Sequence, residues 1–342
     1  MSKLNVGIIG YGWVATAHIA AINATAQARV TAVHSSRPVD PAVLTALHGP
    51  GIRFFETLEG MLADPSIDVI SICSYPWLHA EHAQAAAKAG KHLIIEKPLA
   101  LSWEECLAVR DAVADAGVLT CVCFECRYSA QFLSTRSVID AGLLGEVHYG
   151  EIDYYHGIGP WYGQYRWNVT RKGGGSSLLS AGCHALDALL LCLGSEVAEV
   201  HSMSTKSRSA DFAPYEYDTT AVTLVRFRDG RVGKTASIID CMQPYYFHTH
   251  LVGSQGSLLD NKFHSSRLTG LNKNQWSNLS FPLVDSGDVK DHPYQNQFAA
   301  FFAAIGRREE MKLTSLTDAL QTHRVIFAAD ESARTGRPVA LG

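Results

Sequence analysis

No block of basic residues occurs anywhere in this 342-residue chain, whose 29 lysines and arginines stand against 33 aspartates and glutamates for a formal net charge of −4. Charge so balanced gives no electrostatic reason to expect nucleic acid or an anionic membrane as a partner. Also missing is any uninterrupted run of eighteen apolar residues, so no membrane span is expected. The first apolar stretch, Val6 to Ile9, is too short for the core of a signal peptide. There are no internal repeats and no low-complexity segments. The histidines do not cluster at metal spacing: His248 and His250, two apart on a strand, would share a face, but no third ligand is evident, so no metal is expected. Among the eight cysteines, Cys121, Cys123 and Cys126 read as small apolar fillers of a strand and its exit. Reduced thiols suit a cytoplasmic protein.

What is present is a chain 47% hydrophobic and long enough for two cores, so two domains are expected. From Leu4 to about Phe124, short β-branched runs alternate with alanine-rich helical stretches, the pattern of βαβ units and a doubly wound parallel sheet. The runs are Asn5–Ile9, Arg29–His34, Val69–Cys73, His92–Ile95 and Leu119–Phe124. Helices are expected over Ala15–Ala24 and His79–Ala89, the latter closed by Gly90. Beyond Arg127, a helix over Ser129–Ala141 leads into strands Val147–Tyr155, Glu199–Ser204, Thr219–Phe227, Val232–Ile239, Tyr246–Gly253 and Gly256–Asp260. Arg228-Asp229-Gly230 reads as a hairpin turn. The expected fold is therefore α/β: a Rossmann dinucleotide-binding domain over residues 1–125, then an α+β domain over 126–342 with a large, mostly antiparallel open sheet. The segment Ser204–Tyr217 is the expected mobile excursion.

Gly10, Tyr11, Gly12, Trp13, Val14 and Ala15 follow the first strand and open the first helix, where backbone N–H groups can be aimed at a pyrophosphate. A nicotinamide or flavin dinucleotide is the expected cofactor. At the end of the second strand an acidic residue would bind the ribose hydroxyl of NAD. This chain has Ser35, Ser36 and Arg37 there, and no carboxylate until Asp40. Two hydroxyls and a guanidinium suit a 2′-phosphate, which favours NADP. A merely solvated Arg37 would leave NAD. The tripeptide Glu96-Lys97-Pro98 follows the apolar run Leu93-Ile94-Ile95. It puts a lysine at the carboxyl end of a buried strand, where open α/β sheets do chemistry, with a proline to stiffen the corner.

These residues together carry a resemblance. Gly10 to His18, Ser74-Tyr75-Pro76-Trp77-Leu78-His79, Gly90 to Pro98 and Gly173-Gly174-Gly175 to His184 occur in the order found in the glucose-fructose oxidoreductase, inositol dehydrogenase and MocA family, and the chain resembles that family down to Ser332–Gly336. The resemblance implies a Rossmann domain followed by an open-sheet domain, hydride transfer between NAD(P) and a sugar, sugar derivative or cyclitol, and pairing through the second sheet as a homodimer or homotetramer. It adds Ser74, His79, Glu96 and Lys97 to the expected cofactor contacts. Its pattern places at the active site a lysine in Glu-Lys-Pro, an aspartate, and a histidine four residues later. Lys97 and His184 match; the aspartate position holds Ser180, which can accept or donate a hydrogen bond but carries no charge. Where the family often has Asn-x-Arg, this chain has Glu125-Cys126-Arg127.

The chemistry expected of these residues is alcohol oxidation or its reverse. An imidazole with a pKa near 6.5 suits removal of the hydroxyl proton, so His184 is the expected general acid/base, and Lys97 would stabilise the developing alkoxide. Asp187, one helical turn on, would orient a ring or cap a neighbour. The triple glycine would let the backbone approach a ligand. Arg127, His156, Trp161, Tyr165 and Trp167 are the remaining substrate candidates, since sugars stack their C–H faces on aromatic rings while polar groups read their hydroxyls. Two other functions fit the same fold: a glycosidase that oxidises its sugar transiently on tightly bound NAD, and a dinucleotide- or sugar-sensing protein without turnover.

Overall fold

Aliphatic and β-branched runs too short for helices become the strands of the first sheet in the computed structural model, which describes residues 3–342. They are β1 (Leu4–Ile9), β2 (Ala28–His34), β3 (Arg53–Phe55), β4 (Val69–Ile72), β5 (His92–Ile95) and β6 (Thr120–Val122). The order is β3-β2-β1-β4-β5-β6 with every pairing parallel, the doubly wound arrangement. Every residue of β4 is buried, as both-sided helix cover demands. The helices are α1 (Trp13–Asn23), α2 (Pro41–His48), α3 (Leu58–Leu62), α4 (His79–Lys88) and α5 (Trp103–Ala116). Asp40, Thr57 and Ser102 cap α2, α3 and α5 by accepting first-turn amide hydrogens, whereas Gly12 gives α1 no side-chain cap.

The unit built on this sheet comprises the residues up to Glu125 together with Asp288–Leu320. The sequence reading, with one boundary at 125/126, assigns the later segment to the second domain; packing explains why it returns. Its helix α10 (Tyr294–Arg307) sets Tyr294 and Phe298 against the His18 ring, at centroid distances of 4.6 and 4.8 Å. Gln297 donates to the Val122 carbonyl at 3.0 Å, and the Val122 amide donates to the Thr314 carbonyl at 2.9 Å. The open edge at β6 is thereby occupied.

The second unit, Cys126–Gly287 with Gln321–Gly342, carries a nine-stranded sheet. Its strands are β7 (Val147–Tyr155), β8 (Val197–Thr205), β9 (Thr220–Phe227), β10 (Val232–Ile238), β11 (Tyr246–Gly253), β12 (Gly256–Leu259), β13 (Lys262–Ser265), β14 (Ser277–Asn278) and β15 (Val339–Ala340), in the order β14-β13-β12-β11-β7-β10-β9-β8-β15. All pairings are antiparallel except β7 with β10. The Arg228-Asp229-Gly230 turn joins β9 to β10, with Gly230 at φ +91°. Its helices are α6 (Ala130–Asp140), α7 (Tyr165–Asn168), α8 (Arg171–Gly174), α9 (Cys183–Leu193) and α11 (Leu316–Thr335), the last beginning in the first unit.

Helix α9 lies on β7 and β10 at two glycines: a Cβ on Gly150 would sit 2.5 Å from Leu193 and one on Gly233 2.9 Å from Leu189. The segment Arg171–Leu193 is long and apolar enough for a membrane span, but 83% of its most apolar window is buried; its apolarity serves the core. On β9, Val222 and Leu224 are exposed, Leu224 by 51%, at alternating positions of the strand. Within Ser204–Tyr217, Phe212, Tyr215 and Tyr217 are all buried, so the segment is anchored by three aromatic side chains.

Candidate functional site

In the first unit the strand order reverses between β1 and β4. Gly10 leaves β1 at φ +87°, and a Cβ there would lie 2.7 Å from the Ser74 backbone, so no other residue fits. Gly12 is the opposite case: a Cβ there meets nothing within 4 Å. Beside that open space α1 begins without a side-chain cap, and its first amides point outward from the helix start. An uncapped helix start facing space that only a glycine leaves clear is a cradle for a pyrophosphate, so the residues present fit a dinucleotide.

At the end of β2, Ser35 is half-buried while Ser36 and Arg37 are exposed. The Arg37 guanidinium donates to the Tyr75 hydroxyl at 3.1 Å, and the Tyr75 ring stacks on Trp77 at 4.5 Å. Asp40, the first carboxylate after β2, accepts the Ala42 amide hydrogen at 2.8 Å as the cap of α2. Ser74 and His79 are engaged inside the unit. The Ser74 hydroxyl meets His82 Nδ1 at 2.9 Å. His79 is buried, with Nδ1 2.6 Å from the Pro98 carbonyl and Nε2 3.0 Å from that of Ser74. The ring thus ties the exit of β4 to the exit of β5. Burial lowers its pKa even though two carbonyls face its nitrogens.

Glu96, expected as a cofactor contact, is 6% exposed and its carboxylate turns to the unit's own residues. Oε1 lies 2.8 Å from His18 Nε2 and accepts the Tyr294 hydroxyl at 2.8 Å; Oε2 accepts the Lys97 amide hydrogen at 3.2 Å. His18 Nδ1 meets the Ser71 hydroxyl at 2.8 Å. Lys97 is half-buried beyond this knot, joined to Pro98 by a cis peptide. Burial opposes charge on His18, but Cys73 and Glu96 outweigh it and raise its pKa to about 10. Burial likewise raises Glu96, and His18 more than reverses that, leaving its pKa lowered. A histidine raised on folding contributes stability fully below its unfolded pKa of about 6.5, and that contribution is lost as pH climbs toward 10. Thermal melts of wild type against His18→Gln should therefore converge as pH rises from 6.5 to 10; a gap constant across that window would show that His18 carries no charge.

In the second unit the segment before α9 is a π-helical turn, Leu178–Gly182, a local over-widening often found at functional sites. It carries Ser180, half-buried, and delivers His184, buried, in the first turn of α9. Asp187 does not sit as an acid/base group. The Arg127 guanidinium grips it with Nε 2.6 Å from Oδ2 and Nη2 2.8 Å from Oδ1, and Thr322 donates to Oδ1 at 2.8 Å. Both side chains are almost wholly buried, 6% and 2% exposed. Asp187, expected to orient a ring or cap a neighbour, and Arg127, a substrate candidate, thus form a buried fork that joins α9 to the chain after β6 and to α11. The triple glycine is also explained from within: a Cβ on Gly173 would sit 2.1 Å from the Trp167 carbonyl and one on Gly174 2.3 Å from the Tyr217 hydroxyl. Protein, not ligand, is what approaches that backbone. Arg127→Met alone strands a buried carboxylate and should cost about 3–5 kcal/mol. Combined with Asp187→Leu, most of that loss should return in denaturant titrations; equal stability of the single and double variants would refute the pairing.

Among the aromatic candidates, His156 is the one at the centre of a cluster. Its Nδ1 lies 2.9 Å from the Tyr154 hydroxyl, and its ring meets Tyr162 and Tyr245 edge-on at 5.0 Å each. Trp161 is 58% exposed and held by its indole N–H on the Gly157 carbonyl at 2.9 Å. The Tyr165 hydroxyl is committed to the Asp211 carbonyl at 2.6 Å, and Trp167 is half-buried on α7. Tyr162 belongs to the same aromatic-rich stretch as Trp161 and Tyr165, and Tyr245 is the cluster member that stretch does not contain, although the adjacent Tyr245-Tyr246 pair is a visible signal.

The His248/His250 pair does gain a third group, Glu151, from the neighbouring strand. The Lys234 ammonium already holds that carboxylate at 2.6 Å and Asp153 at 2.7 Å. Cys123 and Cys126 stand at CxxC spacing, a pattern that reading them as fillers passes over. Both are buried and neither is in a disulfide, and burial pushes the Cys123 thiol well above its usual range, the opposite of a reactive thiolate.

Comparison with known proteins agrees with this geometry. Residues 4–124 match the family model described as oxidoreductase family, NAD-binding Rossmann fold, and residues 132–259 match the GFO/IDH/MocA C-terminal domain. Levoglucosan dehydrogenase of Pseudarthrobacter phenanthrenivorans is 28% identical over 328 residues, covering 86% of this chain and 82% of that one. The NAD(+) scyllo-inositol 2-dehydrogenase of Bacillus subtilis is 25% identical over 281 residues, covering 82% and 80%. A solved levoglucosan dehydrogenase in complex with NADH shares the fold, with a TM-score of 0.84 at 24% identity over the whole of both chains.

Proposed function

The chain belongs to the Gfo/Idh/MocA oxidoreductase family and is an NAD(P)-dependent enzyme acting on CH–OH groups, and we propose that it prefers NADP and acts on a sugar, sugar derivative or cyclitol. The observation that carries the reading is Lys97, held at the carboxyl end of β5 by a buried Glu96 whose oxygens are already engaged. A bound nicotinamide would supply or accept the hydride. Gly10 to Val14 would hold its pyrophosphate, and Ser35, Ser36 and Arg37 the adenosine end.

The NADP preference rests on two features of the β2 end. Its first carboxylate, Asp40, is spent on capping α2, and the exposed Arg37 is held by Tyr75, in a position to bind a phosphate in a fork. In this reading Lys97 donates to the substrate oxygen and stabilises it as negative charge develops. His184 takes the hydroxyl proton in oxidation and returns it in reduction. Ser180 serves as a hydrogen-bonding partner for the same hydroxyl. The cluster about His156 and the exposed Trp161 offer ring faces and polar edges of the kind that polyols need. The substrates named for the relatives, levoglucosan and scyllo-inositol, belong to the proposed class.

A panel of polyols and keto-sugars with both cofactors, followed at the nicotinamide absorbance band, tests this directly. Lys97→Met should lower kcat by about a thousandfold on a confirmed substrate while the melting temperature stays unchanged. Arg37→Ala should weaken NADPH binding about tenfold and leave NADH binding alone. Full activity in Lys97→Met would sink the mechanism, and tighter binding of NADH than NADPH by the wild type would sink the cofactor preference.

A further inference from the structure

Position 180 lacks the carboxylate of the family pattern, while position 125 has one where that pattern has asparagine. We propose that Glu125, partnered by His292, is a positioning residue for the reaction: it supplies the counter-charge that keeps the Lys97 ammonium protonated and aimed. The proposal rests on the function given above and concerns residues of the first unit alone. Strands β5 and β6 are parallel neighbours, with Ile95 opposite Val122 and the Cys123 amide donating to the Ile95 carbonyl at 2.8 Å. Lys97 leaves one strand end as Glu125 leaves the adjacent one. Glu125 is 1% exposed, and a carboxylate so buried stays ionised only beside positive charge. His292 Nδ1 lies 3.0 Å from its Oε1.

The same short strap serves both carboxylates beside Lys97. His292 faces Glu125, and Tyr294, two residues on with its ring 5.6 Å from that of His292, donates to Glu96. Burial acts to lower the His292 pKa, but Glu125 outweighs it and raises it, while Lys97 acts on the same ring in the lowering sense. Lys97 is close enough to be felt by Glu96 and His79 as well. Among the described residues of this unit Lys97 thus acts on Glu96, His79 and His292, and of the two carboxylates at these strand ends Glu96 is already matched by His18. In the proposal Glu125, which faces His292 at the adjacent strand end, shares its charge with the lysine.

The test is Glu125→Gln, nearly isosteric, beside Glu125→Asp, with kcat/KM measured as a function of pH. Loss of the carboxylate should lower kcat/KM about tenfold or more and move its alkaline limb down by about one pH unit, because Lys97 then gives up its proton more easily; Glu125→Asp should restore part of both. His292→Gln, at a partly exposed position, should move the acid limb upward, since Glu125 loses the cation that favours its charged form. Melting temperature and NADPH binding report folding independently. If Glu125→Gln folds and binds coenzyme yet keeps wild-type kcat/KM and an unmoved alkaline limb, the proposal is overturned. That outcome is distinct from failure of the functional reading, which requires Lys97→Met to be active too.

Discussion

A carboxylate buried at the carboxyl end of β5 is the constraint on which the first unit depends. Removing an ion from water costs several kcal/mol even after the protein relaxes, so Glu96 must be matched where it stands. His18 on α1, Tyr294 on α10 and the Lys97 amide do the matching. Three stretches of chain far apart in sequence meet at one pair of oxygens. The lysine that follows is therefore set on a corner fixed from below, with His79 tying that corner to the end of β4. This knot also explains why Asp288–Leu320 belongs with the first unit.

The second unit repeats the device with the signs exchanged between elements. Arg127 and Asp187 form a two-pronged pair out of water, and Thr322 fills the remaining demand on the carboxylate. Such a pair is weak evidence for stability in itself, since an apolar pair of equal volume serves as well. What it provides is a tie: Arg127 and Thr322 hold α9, which carries His184 and packs on β7 and β10 with Gly150 and Gly233 beneath Leu193 and Leu189. In both units a residue from the last sixth of the chain, Tyr294 or Thr322, completes a buried charge near a residue proposed to act on substrate.

Much of this was legible in the sequence because it depends on local pattern. Short β-branched runs named the longer strands to within about two residues but missed the short β3, β13, β14 and β15, while Gly10 and Gly230 marked the turns that their positive φ requires. Lys97 stood out because an apolar run led into it and a proline followed. Long-range partners were not legible. Nothing within a few residues of Asp187 reveals that Arg127, sixty positions earlier, will take both its oxygens. Gly173 and Gly174 were misread for a similar reason: a glycine announces close approach but does not say whether a ligand or the protein's own carbonyl approaches. The return of residues 288–320 escaped because a helix in the second half of the chain carries no local mark of the sheet it will cover.

The central claim is that an ionised pair, His18 with Glu96, underlies the Lys97 corner. Its most direct test is the charge state of the His18 ring, read from the 15N chemical shifts of its two nitrogens by NMR at pH 8.5, in wild type with His18→Gln for assignment. The account predicts an imidazolium with both nitrogens protonated at that pH, two units above the ordinary histidine range. A neutral ring with one protonated and one bare nitrogen would contradict it.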